Sequence, residues 1–191
     1  MKTTSIMIVG VGGQGTLLAS KLLGNVLLSQ GYDVKVSEVH GMSQRGGSVV
    51  TYVRFGEKVY SPVVDLGEAD YILSFELLES ARWIGYLKKG GRLITNTHRT
   101  PPMPVITGAA EYPSNIEARL RELADVTTLE AMPLAEQAGS AKAVNVVLVG
   151  VLSRSMDIPE ENWLRAIEET VPPKFVELNR RAFLLGREVQ A

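Results

Sequence analysis

Apolar residues recur along the chain in two periods, and the switch between them predicts alternating strands and helices. Ser5–Val9 is a short β-branched and apolar run, as in a central strand covered on both faces. A glycine-rich stretch follows. From Thr16 to Gln30, Leu17, Leu18, Leu22, Leu23, Val26 and Leu27 return at helical spacing. Gly31 stands where a helix-ending glycine belongs. Tyr32–Glu38 reads as a second strand, which completes a strand–helix–strand unit with an expected right-handed crossover.

A loop with three glycines, Val39 to Gly47, leads to two expected strands, Ser48–Phe55 and Lys58–Val64, with Gly56-Glu57 as the turn between them. That hairpin is foreign to a plain dinucleotide-binding half and predicts a mixed sheet. The alternation then resumes. Asp70–Phe75 reads as a strand, Glu76–Leu87 as a helix ended by Gly90-Gly91, and Arg92–Asn96 as a strand. Three prolines between Thr100 and Pro104 predict an irregular loop. Ile116–Leu123 reads as a helix, Val126–Leu129 as a strand, and Ala141–Met156 as a buried apolar helix. A further helix starts at Pro159 with Asp157 as candidate cap, breaks at Val171-Pro172-Pro173, and gives way to a last one over Lys174–Val189. The expected fold is a single α/β domain over residues 1–191: three α/β/α layers, a Rossmann-like start, a mixed sheet, and C-terminal helices over roughly 141–191.

Composition narrows the chemistry. The 191 residues are 45% hydrophobic and 21% charged, with a net charge of −1, so no global pull towards nucleic acid or an anionic membrane is implied. There is no cysteine. That excludes a disulfide, a thiolate zinc site, a cysteine-ligated iron–sulfur cluster and a cysteine nucleophile. It is compatible with a cytoplasmic location, which we take as the expectation. The longest apolar run, Ala143 to Leu152, is interrupted by Asn145 and Gly150, and it falls short of the roughly 20 residues a membrane helix takes. Asp65, Glu68 and Asp70 lack metal-ligand spacing, and no metal site is expected.

Two loops concentrate the candidate chemistry. Gly10-Val11-Gly12-Gly13-Gln14-Gly15 fits G-x-G-x-x-G between a strand and a helix. Glycine lets the main chain approach a ligand, and the N–H groups of the following helix favour an anion. The loop reads either as a phosphate or nucleotide site or as a tight turn that binds nothing; Glu38 is placed to hold a ribose in the first case. The second loop, through Gly47, carries His40, Ser43, Gln44 and Arg45. Arg45 can clamp a carboxylate or phosphate, and His40 can exchange protons near neutral pH. These two are the catalytic candidates. Gly10, Gly12, Gly13, Gln14 and Gly15, with Ser43, Gln44, Arg45, Gly46 and Gly47, are the binding candidates. Glu38, His40 and Ser43 do not sit in a nucleophile-elbow pattern. His98 reads as a loop residue, Trp83 and Trp163 as packing or interface anchors, and Arg180-Arg181 as a solvated helix face.

Taken in order, these segments resemble the small, gamma-type component of the 2-oxoacid:ferredoxin oxidoreductases. The resemblance rests on the glycine loop, then Arg45-Gly46-Gly47, Val53-Arg54 and Ser61-Pro62. Glu38-Val39-His40-Gly41-Met42-Ser43-Gln44-Arg45-Gly46-Gly47 is similar to the indolepyruvate branch. So are Gly67-Glu68-Ala69-Asp70, Phe75-Glu76, Asn96-Thr97 and Pro172-Pro173-Lys174-Phe175-Val176-Glu177-Leu178-Asn179. The resemblance implies a subunit that is inactive alone. Thiamine diphosphate and iron–sulfur clusters would lie in a large partner, with coenzyme A as co-substrate and ferredoxin met through the complex. Neither nucleic acid nor membrane is an expected partner. Two other readings stay open at this point: a free-standing dinucleotide-binding protein, and a non-catalytic interaction module.

Overall fold

The computed structural model describes residues 3–40 and 46–189. Six strands form one mixed sheet in the order β2-β3-β1-β4-β5-β6. They are β1 (Thr4–Val11), β2 (Asp33–His40), β3 (Ser48–Gly56), β4 (Ala69–Ser74), β5 (Leu87–Asn96) and β6 (Asp125–Leu129). β1, β4, β5 and β6 run parallel, and β3 is antiparallel to both of its neighbours. β1 lies inside the sheet with helices over both of its faces, which is why Ile6, Met7, Ile8 and Val9 are wholly buried without alternation.

The helices are α1 (Thr16–Ser29), α2 (Leu77–Trp83), α3 (Met103–Ile106), α4 (Ile116–Leu123), α5 (Ala131–Ala138), α6 (Val144–Ser153), α7 (Glu160–Thr170) and α8 (Val176–Glu188). One face of the sheet, through Ile6, Ile8, Val53, Leu73 and Ile94, shares a core with α1, α5, α6, α7 and α8. The other face, through Met7, Val9, Ile72 and Leu93, packs on α2 and α4. Each fully buried aliphatic side chain contributes about 1.5–3 kcal/mol relative to exposure, so both covers stabilise the sheet. α1 ends as its sequence predicts: Gly31 takes φ 82° and the Tyr32 N–H returns to the Leu27 carbonyl.

Several expectations are corrected. The first strand–helix–strand unit is split, because β3 inserts between β1 and β2. Lys58–Val64 is not a strand. Its Ser61 and Val63 carbonyls turn to the Arg54 guanidinium, and the Val59 N–H to the Asp33 carboxylate, so its backbone groups find side chains instead of a neighbouring strand. The hairpin is therefore β2–β3, not Ser48–Phe55 with Lys58–Val64. The helix from Glu76 stops at Trp83, and Gly90-Gly91 lies within β5, where the pairing jumps from Ala69↔Leu87 to Tyr71↔Arg92. A Cβ on Gly91 would lie 3.0 Å from the Ala69 and Asp70 carbonyl oxygens, so glycine makes that bulge. The proline-rich loop holds the short α3. A turn of 3₁₀ helix, Ala141–Ala143, precedes α6, and another, Pro173–Phe175, precedes α8. Asp157 does not cap α7, which follows Pro159 with no side-chain cap.

Candidate functional site

The carboxyl ends of β1, β4, β5 and β6 open on one rim, the place where ligands meet an open α/β sheet. Gly10-Val11-Gly12-Gly13-Gln14-Gly15 occupies its centre. The loop is held by its own glutamine: Gln14 Oε1 accepts from the Val11 N–H at 2.7 Å, and Gln14 Nε2 donates to the Phe75 carbonyl at 3.4 Å. Gly15 adopts φ 86°, and a Cβ there would lie 2.6 Å from Asn145 Nδ2, which itself donates to the Gly15 carbonyl. Gly10 is crowded in a different way, since its Cβ would meet Gln14 Oε1, the end of a flexible side chain, at 2.7 Å and the Phe75 Cβ at 3.1 Å. The turn itself requires glycine at position 15. No side chain caps α1, and its N-terminal amides face the rim.

The two loops singled out by sequence do meet. The Gly12 N–H donates to the Gly47 carbonyl at 2.9 Å, and the Gly46 N–H to the Gly12 carbonyl at 3.4 Å. Ser43, Gln44 and Arg45 lie outside the described residues. His40 and Glu38, both exposed, line a pocket of about 430 Å³ with Gly12, Gly13 and Gly15. Glu38 does not stand where a dinucleotide ribose carboxylate would. β3 displaces β2 by one strand, about 4.8 Å, and Glu38 accepts from the Thr51 hydroxyl at 3.3 Å.

A second pocket, of about 460 Å³, lies on the other side of the glycine loop. Phe75, Met132 and Val144 give it an apolar wall, and His98 and Lys142 put two basic groups at it. His98 was read as an ordinary loop residue, and Lys142 was not singled out. Sequence reasoning missed them because they are far apart along the chain. The available signal was position: His98 follows the end of β5 by two residues, at a strand end facing the glycine loop. Asn96 joins three segments here. Its side chain donates to the Phe75 carbonyl at 3.4 Å and accepts from the Ala131 N–H at 3.1 Å.

Both walls of the rim are braced from α2. Glu76 is 1% exposed, and its carboxylate accepts from the Glu79 and Thr100 N–H groups at 2.9 Å and from the Tyr112 hydroxyl at 2.7 Å. Burial first, and then the Glu76 carboxylate, push the Tyr112 phenol well above its ordinary range. The Leu77 N–H donates to the His98 carbonyl at 2.9 Å. Trp83 is not a bare anchor: its indole N–H donates to Glu79 at 3.2 Å. Trp163 is a core residue, stacked on Phe183 with ring centroids 5.7 Å apart.

The pyruvate ferredoxin/flavodoxin oxidoreductase family model matches residues 5–189. The chain belongs to this family. It is 49% identical to the indolepyruvate oxidoreductase subunit IorB of Thermococcus kodakarensis, over 97% of this chain and 95% of that one. Among family folds, it superposes on the pyruvate oxidoreductase subunit PORC of Thermotoga maritima with a TM-score of 0.75 at 22% identity, covering 98% and 97% of the two chains. It also matches a segment of the 2-oxoglutarate:ferredoxin oxidoreductase of Magnetococcus marinus, a structure with 2-oxoglutarate, coenzyme A and succinyl-CoA bound. There the TM-score is 0.75 at 17% identity, over 98% of this chain and 31% of that one. The six-strand mixed sheet with C-terminal helices is therefore the family's fold, including the inserted β3 that departs from a plain Rossmann half. Among the described residues, no helix is long and apolar enough to cross a membrane.

Proposed function

We infer that this chain is the small subunit of an indolepyruvate:ferredoxin oxidoreductase, and that it works only when assembled with a large subunit. The observation that carries this is near full-length identity of 49% to a relative named for that role. The reaction converts an aryl 2-oxoacid, coenzyme A and oxidised ferredoxin into an aryl-acetyl-CoA, carbon dioxide and reduced ferredoxin. Thiamine diphosphate supplies the electron sink and iron–sulfur clusters carry the electrons away. With no cysteine, this chain cannot ligate a cluster in the usual way, so the clusters are assigned to the large subunit, and thiamine diphosphate is placed there with them on the family resemblance.

The chain's own contribution is the rim at the strand ends. His98, Lys142 and the uncapped N-terminus of α1 surround the apolar pocket beside the glycine loop. This combination suits a co-substrate with an apolar arm and an anionic end, and we assign the pocket to the approach of coenzyme A. His40 and Arg45 remain candidates for contacts at the assembled active-site edge.

The deciding experiment is anaerobic purification of the tagged chain from its own organism, with mass spectrometry of what accompanies it. A near-stoichiometric large partner, and turnover of indolepyruvate by the pair but not by this chain alone, is the expected result. Isolation as a lone chain that binds a dinucleotide stoichiometrically would sink the reading.

A further inference from the structure

The glycine loop is tied to a buried carboxylate on a helix that does not line either pocket. Glu79, in the first turn of α2, is 4% exposed. It accepts from the Ser48 hydroxyl, from Arg82 Nε at 3.0 Å and from the Trp83 indole N–H at 3.2 Å. Ser48 opens β3, directly after Gly47. The Gly47 carbonyl accepts the Gly12 N–H, and Gly46 returns the bond to the Gly12 carbonyl. A continuous path therefore runs from Glu79 through Ser48 and Gly47 to Gly12, which walls the first pocket, and on to its neighbour Gly13, which walls both.

We propose that Glu79 is a positioning residue that acts through Ser48 to fix the glycine loop in its ligand-receiving geometry. It rests on the reading of that loop as part of the rim that receives coenzyme A. The physical reason for a carboxylate is that a charged acceptor holds a hydroxyl in one orientation more strongly than a neutral one. Burial keeps water from competing for the bond. Arg82 and Trp83 occupy the rest of the carboxylate, so its aim is set on three sides. Gly46 and Gly47 have no side chains of their own to lock them, and Gly46 has φ 78°. Their placement has to come from a neighbour, and among the described residues Ser48 is the adjoining one with a side-chain anchor.

The test compares Ser48→Ala with Ser48→Thr. Both are small changes at a half-buried strand end, and threonine keeps the hydroxyl. Amide hydrogen exchange of the full chain reads the loop without any need for turnover. Ser48→Ala is expected to speed exchange at Gly12 by about fivefold, the scale of one lost net hydrogen bond, with Ser48→Thr restoring protection. In the assembled enzyme, Ser48→Ala is expected to raise KM for coenzyme A by a similar factor, with kcat and KM for the 2-oxoacid close to wild type and stability lowered only by the one lost hydrogen bond, about 1 kcal/mol for a fivefold change. Unchanged exchange at Gly12 overturns the proposal, whatever the enzyme does. Faster exchange with an unaltered KM for coenzyme A, or with a loss of stability beyond that one bond, overturns it too and leaves Ser48 a structural link. If the wild-type assembly does not turn over an aryl 2-oxoacid, the functional reading falls, and exchange at Gly12 alone decides the brace.

Discussion

Gly150 and Gly186 touch backbone to backbone where α6 crosses α8: a Cβ built on Gly150 would lie 3.1 Å from the Gly186 Cα, and one on Gly186 would lie 3.2 Å from the Gly150 Cα. Each would also run into a carbonyl oxygen of the facing helix, Phe183 for the first and Val147 for the second. Gly150→Ala and Gly186→Ala should each destabilise by about 1–3 kcal/mol, the range for overpacking a close crossing. Gly24→Ala is the control, since nothing lies within 4 Å of its Cβ position. In mid-helix that change should stabilise by about 0.5–1 kcal/mol. Urea unfolding midpoints of the three variants check both signs.

Asp33 makes acid stability local. A hydrogen bond from Lys35 first, then the Val59 N–H, with Lys35 and Lys58 charges adding, hold its carboxyl at about 2 against an ordinary 3.8, while burial opposes them. The unfolded chain therefore binds the extra proton in that interval. The contribution is complete above 3.8 and is lost as pH falls towards 2. Asp33→Asn should lower the urea midpoint at neutral pH, and the gap to wild type should close across that interval. A gap that stays constant with pH would contradict the assignment.

Tyr112 shows the opposite dependence. Its raised phenol keeps its proton in the folded state, so its contribution holds through neutral pH and declines once pH rises past the ordinary value of 10. Tyr112→Phe leaves a Glu76 oxygen with one donor fewer in a buried site, a loss of about 1–3 kcal/mol. Ultraviolet titration of the wild type should find one tyrosine that ionises only with unfolding, and the variant should lack it.

The assignment of the second pocket turns on Lys142 and His98. In the assembled enzyme, Lys142→Ala should raise KM for coenzyme A by about 10–100-fold, as for loss of a hydrogen bond to a charged group. Added salt should raise the wild-type KM and narrow the difference. His98→Ala should act in the same direction. Both side chains are exposed, so the urea midpoint should not move.

The start of the fold was legible because β1, the glycine loop and α1 each carry a local signature: a continuous apolar run, a glycine-rich turn, and leucines at helical spacing. Other parts depend on partners far along the chain. Lys58–Val64 has strand-like side chains, yet Arg54 captures its carbonyls, and no local period encodes that. α5 was invisible because its buried face is alanine, Ala131, Ala135 and Ala138, with no large residue to mark a stripe. At the site, glycines needed for the turn could be named from sequence. His98 and Lys142 could not be joined, because only the sheet order brings the ends of β1 and β5 and the start of α6 to one rim. Nothing local marks Glu76 and Glu79 as buried, because their partners Tyr112, Thr100 and Ser48 lie far along the chain.

The place of β1 in the sheet also orders events on the ribosome. β1 is made first, yet its neighbours are β3 and β4, and the second of them is complete only when Ser74 has been added. Until then Ile6–Val9 is an apolar strand with at least one bare edge in a growing nascent chain. Such a segment is open to mispairing during synthesis. The chain's exposure to aggregation during synthesis therefore lies in its first seconds, in residues that no solvent touches afterwards.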